Sequence, residues 1–236
     1  MHDHKISIII PVLNEANTIG NLLDYLIQKS NKDNISEIIV VDGGSNDASK
    51  DIVMHKAKLS SSIKFVQSQK GRAIQMNCGA EKATGGILYF LHADSYPPKS
   101  FCEHIINEIV KGNNAGCFKM KFDSKHPWLK LSGWFTQFSW RSCRGGDQSQ
   151  FITKSLFDEL NGFDERFIVY EDNDLINKLY TKNEFVVIQH NIKTSARRYE
   201  TNGIFKLQYH FLAIHLKKYF GASAEDIHQY YLRNIA

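Results

Sequence analysis

Cysteine is scarce and scattered in this sequence: Cys78, Cys102, Cys117 and Cys143 are the only four, and no two form a CxxC pair. That argues against a disulfide framework or a zinc knuckle and fits a reducing compartment. Long apolar runs are missing as well. Polar residues 1–5 lead into a short apolar stretch interrupted by Pro11, too little for a signal peptide or a spanning helix, so the expectation is a chain made and kept in the cytoplasm. Basic residues are not gathered into a run, and zinc-finger, RRM and basic-zipper signatures are absent; nucleic acid is not expected as a partner. No GxGxxG follows the first apolar segment, which argues against a dehydrogenase. Repeats, linkers and low-complexity tracts are lacking too.

What is present is ordinary globular composition, 42% hydrophobic and 23% charged with a net charge of +4 over 236 residues, enough for one domain with a large core. Residues 6–12 (ISIIIPV) are β-branched and almost uniformly apolar, as in a strand covered on both faces of a parallel sheet. Residues 14–18 supply turn and cap chemistry, and Ile19, Leu22, Leu23, Leu26 and Ile27 then recur at helical spacing. The βα unit repeats: a strand at 38–41, a loop at 43–46, Asp47 as helix cap, a strand at 63–67, a helix from Arg72 to near Gly85, and a strand at 87–91. Alternation of this kind predicts an α/β fold with a mostly parallel, Rossmann-like sheet whose ligands gather at the carboxyl ends of the strands. Beyond Pro97 and Pro98 the sequence predicts a helix at 101–110, a strand at 116–122, an aromatic stretch at 128–140 and helices at 204–220 and from about 223.

The candidate chemistry falls in the strand-end loops. Asp42 ends VVDGGSND and Asp94 follows ILYFL in LHAD, so two acids converge from neighbouring strand ends. A hard divalent cation held by carboxylate oxygen neutralises a departing diphosphate; Asp94 is the candidate ligand, with His92 on the same strand face as a second ligand or phosphate donor. Asp42 alone reads as a loop-capping acid, and His92 alone reads equally well as a packed strand-end histidine. Glu171 and Asp172 open a helix after FDERFIVY, a segment expected to be mobile. Such acids commonly serve the helix dipole, but a carboxylate there also suits proton abstraction from a hydroxyl. Asp172 is therefore the candidate base, with Glu171 steering the acceptor. Lys70, Gly71 and Arg72 suit phosphate at a helix start. Gly145, Gly146, Asp147 and Gln148 form a polar loop, and TSARRY carries Arg197 and Arg198.

In this order, PVLNEANTI, VVDGGSNDAS, GRAIQMNCGA, FLHADS, GGDQSQFI, LNGFDERF, YEDNDL and TSARRY resemble family 2 glycosyltransferases of GT-A fold over about residues 6–200. Among these the chain looks most similar to small bacterial transferases associated with radical-SAM and selenoprotein-like domains. The resemblance implies inverting transfer from a nucleotide-sugar, with uridine as the base, to an unnamed small-molecule or lipid-linked acceptor. Asp172 would take the acceptor proton, and Mn or Mg at Asp94 would act as cofactor. It further implies that Pro11, Asn14, Glu15, Asp42, Gly71 and Arg72 bracket the nucleotide, while Gly146, Asp147, Gln148, Arg197 and Arg198 serve the acceptor or phosphate side. The usual DXD triplet is His92-Ala93-Asp94 here, keeping only the second acid. The processive QxxRW signature survives only as SARRY, which argues against polymer synthesis and export.

The alternatives are a non-catalytic nucleotide-sugar-binding protein, which the altered triplet favours, and a nucleotidyltransferase, which the glycine-free NEANT loop disfavours. Residues 1–202 are expected to form the catalytic domain and 203–236 a helical extension packed on it. That packing is preferred over the extension resting on the inner membrane face.

Overall fold

The computed structural model describes residues 4–235. Strands β1 (Ile6–Val12), β2 (Ile35–Asp42), β3 (Ile63–Gln67) and β4 (Ile87–Phe90) form the parallel half of the sheet, linked through helices α1 (Ile19–Lys29), α2 (Ser49–Leu59) and α3 (Arg72–Lys82). The apolar run of β1 explains the layering, because alternate side chains point to opposite faces. Ile6, Ile8 and Ile10 join Leu22, Leu23 and Leu26 of α1 in one core. Ile9 joins Ile39, Val41 and the α3 residues Ala73, Met76 and Ala80 in the other. Beneath the sheet's amino end, the buried Glu37 carboxylate accepts hydrogen bonds from Ser7, Lys64 and Thr84.

The remaining strands are β5 (Ser95–Tyr96), β6 (Ala115–Phe122), β7 (Gln150–Thr153) and β8 (Val186–Thr194), interspersed with α4 (Phe101–Val110), α5 (Pro127–Phe135), α6 (Lys154–Glu159), α7 (Glu171–Thr181) and α8 (Arg197–Asn202). The eight strands make one sheet in the order β3-β2-β1-β4-β7-β6-β8-β5. It is mixed: β7 runs antiparallel to both β4 and β6, β5 antiparallel to β8, and β6 parallel to β8. The parallel pairing expected from the sequence holds throughout β1 to β4, where strands and helices alternate, and returns in the β6–β8 pair.

Helices α9 (Ile204–Tyr219) and α10 (Ala224–Asn234) complete the chain, the latter started by a capping box between Ser223 and Asp226. Their inward faces, with Leu207, Ile214 and Ile227, form a third core with Phe167 and Tyr170. The extension therefore covers the segment that leads into α7. Among the described residues no helix is long and apolar enough to cross a membrane.

Candidate active site

The carboxyl ends of β1 and β2 are built into a single platform. Asn14, in the left-handed region at φ 57°, donates its N–H to Ser45 Oγ and accepts the Asn46 N–H at Oδ1. Glu15 N–H donates to Ser49 Oγ, and Asp47 accepts from Ala16 and Ser49 N–H; the N-cap position of α2 is Ala48, one residue beyond the Asp47 the sequence suggests, so Asp47 ties the β1 loop to the helix start from just outside it. Pro11 pairs with Val41 in the β1–β2 ladder. The Asp42 carboxylate is buried and accepts from Gly44 N–H, Ser45 N–H and Ser45 Oγ. It thus builds its own turn, the loop-capping role that its sequence context suggests. From below, Gln75 Nε2 donates to Val12 O and Val41 O, each at 2.8 Å. A Cβ at Gly43 would lie 2.9 Å from the Gln75 amide, so a side chain there would push Gln75 away from these two carbonyls.

Helix α3 is preceded by its N-cap Gly71, whose φ of 147° favours glycine, while Lys70 before it is exposed. Arg72, the first residue of the helix, is bonded to Glu171 and lies 3.5 Å (Nη2 to Oδ2) from Asp172. Both acids are buried at the start of α7, Glu171 with 0% exposure. Burial pushes the Glu171 and Asp172 carboxyls above the usual range, opposed in both by the Arg72 guanidinium. Burial also works against the Arg72 charge, yet the two carboxylates hold it above its ordinary range. Tyr170, just before the pair, has φ 83°, a costly conformation for a bulky residue that turns the chain into α7. The segment expected to be mobile is anchored at both ends: Asn77 bonds Phe163 O and Phe163 N–H, and Phe167 and Tyr170 are buried under α9.

Asp94 and His92 follow β4 at the same rim. Burial raises the Asp94 carboxyl, opposed by His92; burial and then Arg72 lower the His92 imidazole. The field of Asp147 reaches Asp94, His92, Arg72 and Asp172, so acids from distant stretches of sequence surround one place. Asp147 belongs to a one-turn 3-10 segment, Gly146–Gln148. The Gln148 side chain is 2% exposed, and neither its Nε2 nor its Oε1 has a hydrogen-bond partner among the described residues. Arg197 Nη2 pairs with Glu15 Oε1 at 2.9 Å, while Arg198 donates to Tyr231 OH and lies over the Phe211 and Tyr231 rings.

No group of three His, Cys, Asp or Glu side chains among the described residues is arranged to hold a metal by itself. The partly buried Asp94 carboxylate nevertheless makes no hydrogen bond or ion pair within the described residues. A lone desolvated carboxylate fits a cation whose remaining ligands are substrate phosphates and water. Beside this rim a cavity of about 620 Å³ opens, with Arg72, Asp147, Gln148 and Asp172 on its wall and side chains of α5 and α9 opposite.

Residues 7–163, about two thirds of the chain, match the family described as Glycosyl transferase family 2. The chain belongs to that family. Among curated family relatives, Glycosyltransferase AglE of Haloferax volcanii is 29% identical over 134 residues, 50% of this chain and 44% of that one; the chain thus spans less than half of that relative's length. Among solved structures, the mannosyltransferase PcManGT from Pyrobaculum calidifontis, in complex with GDP-Man and Mn2+, has a TM-score of 0.71 at 18% identity, covering 97% of this chain and 69% of that one. S. aureus TarS in complex with UDP-GlcNAc has a TM-score of 0.68 at 20% identity, covering 81% and 58%. These likenesses give the family 2 chain its GT-A fold.

Three residues that shape this candidate site were not singled out from the sequence. Gln75 fixes the strand ends and Tyr170 sets the start of α7. The buried Arg144 donates to Thr136 O and Phe138 O, each at 2.6 Å, and so shapes the cavity's aromatic wall. The one available signal was a glutamine in the midst of GRAIQMN, at a position where the apolar spacing of α3 calls for a buried side chain.

Proposed function

We propose that the chain is an inverting glycosyltransferase that moves a sugar from a UDP-sugar donor to an acceptor hydroxyl, with Asp172 as general base. The observation that carries this reading is the buried Glu171–Asp172 pair held on Arg72 at the cavity wall, within the same electrostatic field as Asp94 and His92. The nucleotide-sugar complexes of TarS and PcManGT support a donor of this class. In this reading Pro11, Asn14, Glu15, Asp42 and Gly71 bracket the nucleotide, and residues 203–236 act as an extension covering a catalytic domain of residues 1–202.

As the acceptor oxygen forms its bond to the anomeric carbon, the bond from that carbon to the diphosphate oxygen breaks and its electron pair stays on the phosphate. Attack from the face opposite the leaving group inverts the configuration. The acceptor proton goes to Asp172, whose basicity is raised by burial, bringing it closer to the working pH. Glu171 and Arg72 orient that carboxylate. A divalent cation, Mn or Mg, would be held by Asp94 with His92 beside it, and when bound it offsets the charge of the diphosphate.

The test is nucleoside diphosphate release from a panel of UDP-, GDP- and dTDP-sugars with either metal. Asp172→Asn is expected to lower turnover about a hundred- to ten-thousand-fold while donor affinity, measured by calorimetry, is kept. Equal turnover in the Asn variant would end the assignment of the base.

A further inference from the structure

Helix α9 has two apolar faces. Its inward stripe, Leu207, Phe211 and Ile214, belongs to the third core with Phe167 and Tyr170. A second stripe, Phe205, Tyr209, Leu212, Leu216 and Tyr219, recurs at the same three- and four-residue spacing but faces outward; Tyr219 is 83% and its neighbour Phe220 80% exposed. Packing of the extension thus uses one side of the helix and leaves the other bare.

Helix α5 repeats the pattern. Leu129 and Gly133 are buried, while Trp128, Leu131, Trp134 and Phe135 are exposed. The aromatic patch continues past its end, where Trp134 packs edge-on against Phe138 and Phe138 stacks on Trp140. The two helices meet: the Trp128 and Phe205 rings lie 5.7 Å apart, and Trp128 Nε1 donates to Gln208 Oε1 at 2.8 Å. Every exposed aromatic side chain among the described residues belongs to these two neighbouring segments. The patch is more than the rim of the cavity, because Trp134, Trp140, Phe205, Tyr209, Tyr219 and Phe220 take no part in the cavity wall. A soluble surface rarely keeps an apolar area of this extent without something to cover it.

Charge selects what covers it. Residues 124–146 and 203–223, which carry the patch, hold seven of the chain's 29 Lys and Arg and none of its 25 Asp and Glu. Lys125, Lys130, Arg141, Lys206 and Lys217 are exposed. Of the acids just outside, Asp123 pairs with Lys193, Asp147 lines the cavity and Asp226 closes the capping box of α10. A second copy of the chain docking here by twofold symmetry would set cation against cation with no acid to answer it. Tryptophan and tyrosine among lysines are instead the composition of a lipid–water boundary, where rings enter the headgroup layer and ammonium groups reach anionic phosphates.

We propose that α5, the aromatic turn after it and the outward stripe of α9 form a docking surface for an anionic lipid bilayer, on which the protein lies without crossing it. The inference goes beyond the glycosyl transfer proposed above and rests on none of its catalytic assignments. Trp128, Leu131, Phe135 and Leu212 belong both to this surface and to the cavity wall, so docking brings the mouth of the cavity to the bilayer.

The chain's three tryptophans, Trp128, Trp134 and Trp140, all sit in the patch and report contact directly. The full chain is titrated with vesicles of phosphatidylcholine alone, or mixed with an equal part of phosphatidylglycerol, while tryptophan emission and its quenching by brominated acyl chains are followed. Anionic vesicles are expected to bind about tenfold more tightly or better, with a blue shift and quenching, and the preference to fade at high salt. Tyr219→Ser/Phe220→Ser, at exposed positions, weakens this binding about tenfold or more. Lys130→Glu/Lys206→Glu, also at exposed positions, removes the preference for phosphatidylglycerol. Thermal melts of both variants match wild type. Equal binding to the two vesicles, absence of quenching, or quenching untouched by the Tyr219 and Phe220 substitutions overturns the proposal. So does a dimer in light scattering that the same two substitutions dissolve, which gives the face to a second copy. Vesicle binding by a chain that releases no nucleoside diphosphate keeps the surface and removes the activity.

Discussion

Replacing Arg72 with Met leaves the Glu171 carboxylate at a site with 0% exposure and no cation beside it. Breaking a fully buried ion pair from one side costs about 3–5 kcal/mol. The Arg72 side chain is 31% exposed, so solvent already weakens its field, and a loss of about 2–3 kcal/mol is the reasonable expectation. For a domain of this size that lowers Tm by roughly 4–12 °C. The loss depends on pH in a definite direction. Burial holds the folded Glu171 carboxyl above its unfolded value, and Arg72 opposes that rise. A carboxyl raised in this way contributes stability that is present below its unfolded pKa and fades as pH climbs through the folded one. Without Arg72 the folded value climbs further, so the variant's loss is larger near about pH 8 than near about pH 5, because ionising the orphaned carboxyl is what costs. Calorimetric melts of wild type, Arg72→Met and Arg72→Met/Glu171→Gln at both pH values measure this. The double variant should recover most of the loss near pH 8, because its glutamine carries no charge to orphan. An equal loss at both pH values, or a double variant no more stable than the single one, would refute the picture of Glu171 as a buried charge held by Arg72.

Three further outcomes can be measured on the same preparation. Hydrogen bonds from Ser7, Thr84 and Lys64 outweigh burial and bring the Glu37 carboxyl down to about 2; its stabilisation of about 3 kcal/mol is present above the unfolded carboxylate range and disappears as pH falls toward that value. Urea titrations should therefore show Glu37→Gln losing this acid dependence while wild type keeps it. Gln75→Leu frees the Val12 and Val41 carbonyls and is expected to cost about 2–4 kcal/mol, with donor affinity falling in the same variant. Arg144→Met removes the bonds to Thr136 O and Phe138 O. Near-ultraviolet circular dichroism should then report loosening of the Phe138–Trp140 stack, whose ring centroids are 4.8 Å apart, while far-ultraviolet signal is retained.

Strands β1 and β3 and helix α4 lie where their apolar patterns place them, at 6–12, 63–67 and 101–110. Each buries a face or a stripe, and burial writes a period into the sequence. Strand β7 has only four residues, and β8 carries exposed Gln189, His190 and Asn191 in its middle. Neither displays a period, because length in one and solvent in the other erase it. The acids of the site were legible as strand-end and helix-start residues, but their partners were not. Whether Arg72 meets a phosphate or a carboxylate depends on where residue 171 arrives, 99 positions later, and local sequence is silent about that. The same holds for Gln75, whose two acceptors belong to different strands.

Helix α3 explains why these pieces form one site. Within two turns it presents Arg72 to the acids of α7, Gln75 to the carboxyl ends of β1 and β2, and Asn77 to the backbone at Phe163. The loops of the parallel half and the acids that arrive after the antiparallel half are therefore indexed to one rigid element rather than to each other through flexible loops. Arg197–Glu15 adds a second tie between the same two halves, but it lies at an exposed position and is worth at most about 1 kcal/mol. Groups that must act on one bond need to be held to about half an ångström, and a helix packed on the sheet by its buried face and bonded to both sides does this where a surface ion pair cannot. The motif GRAIQMN thus joins the two halves of the candidate site, which is why disturbing Arg72 or Gln75 should move the β1–β2 platform and the proposed base together.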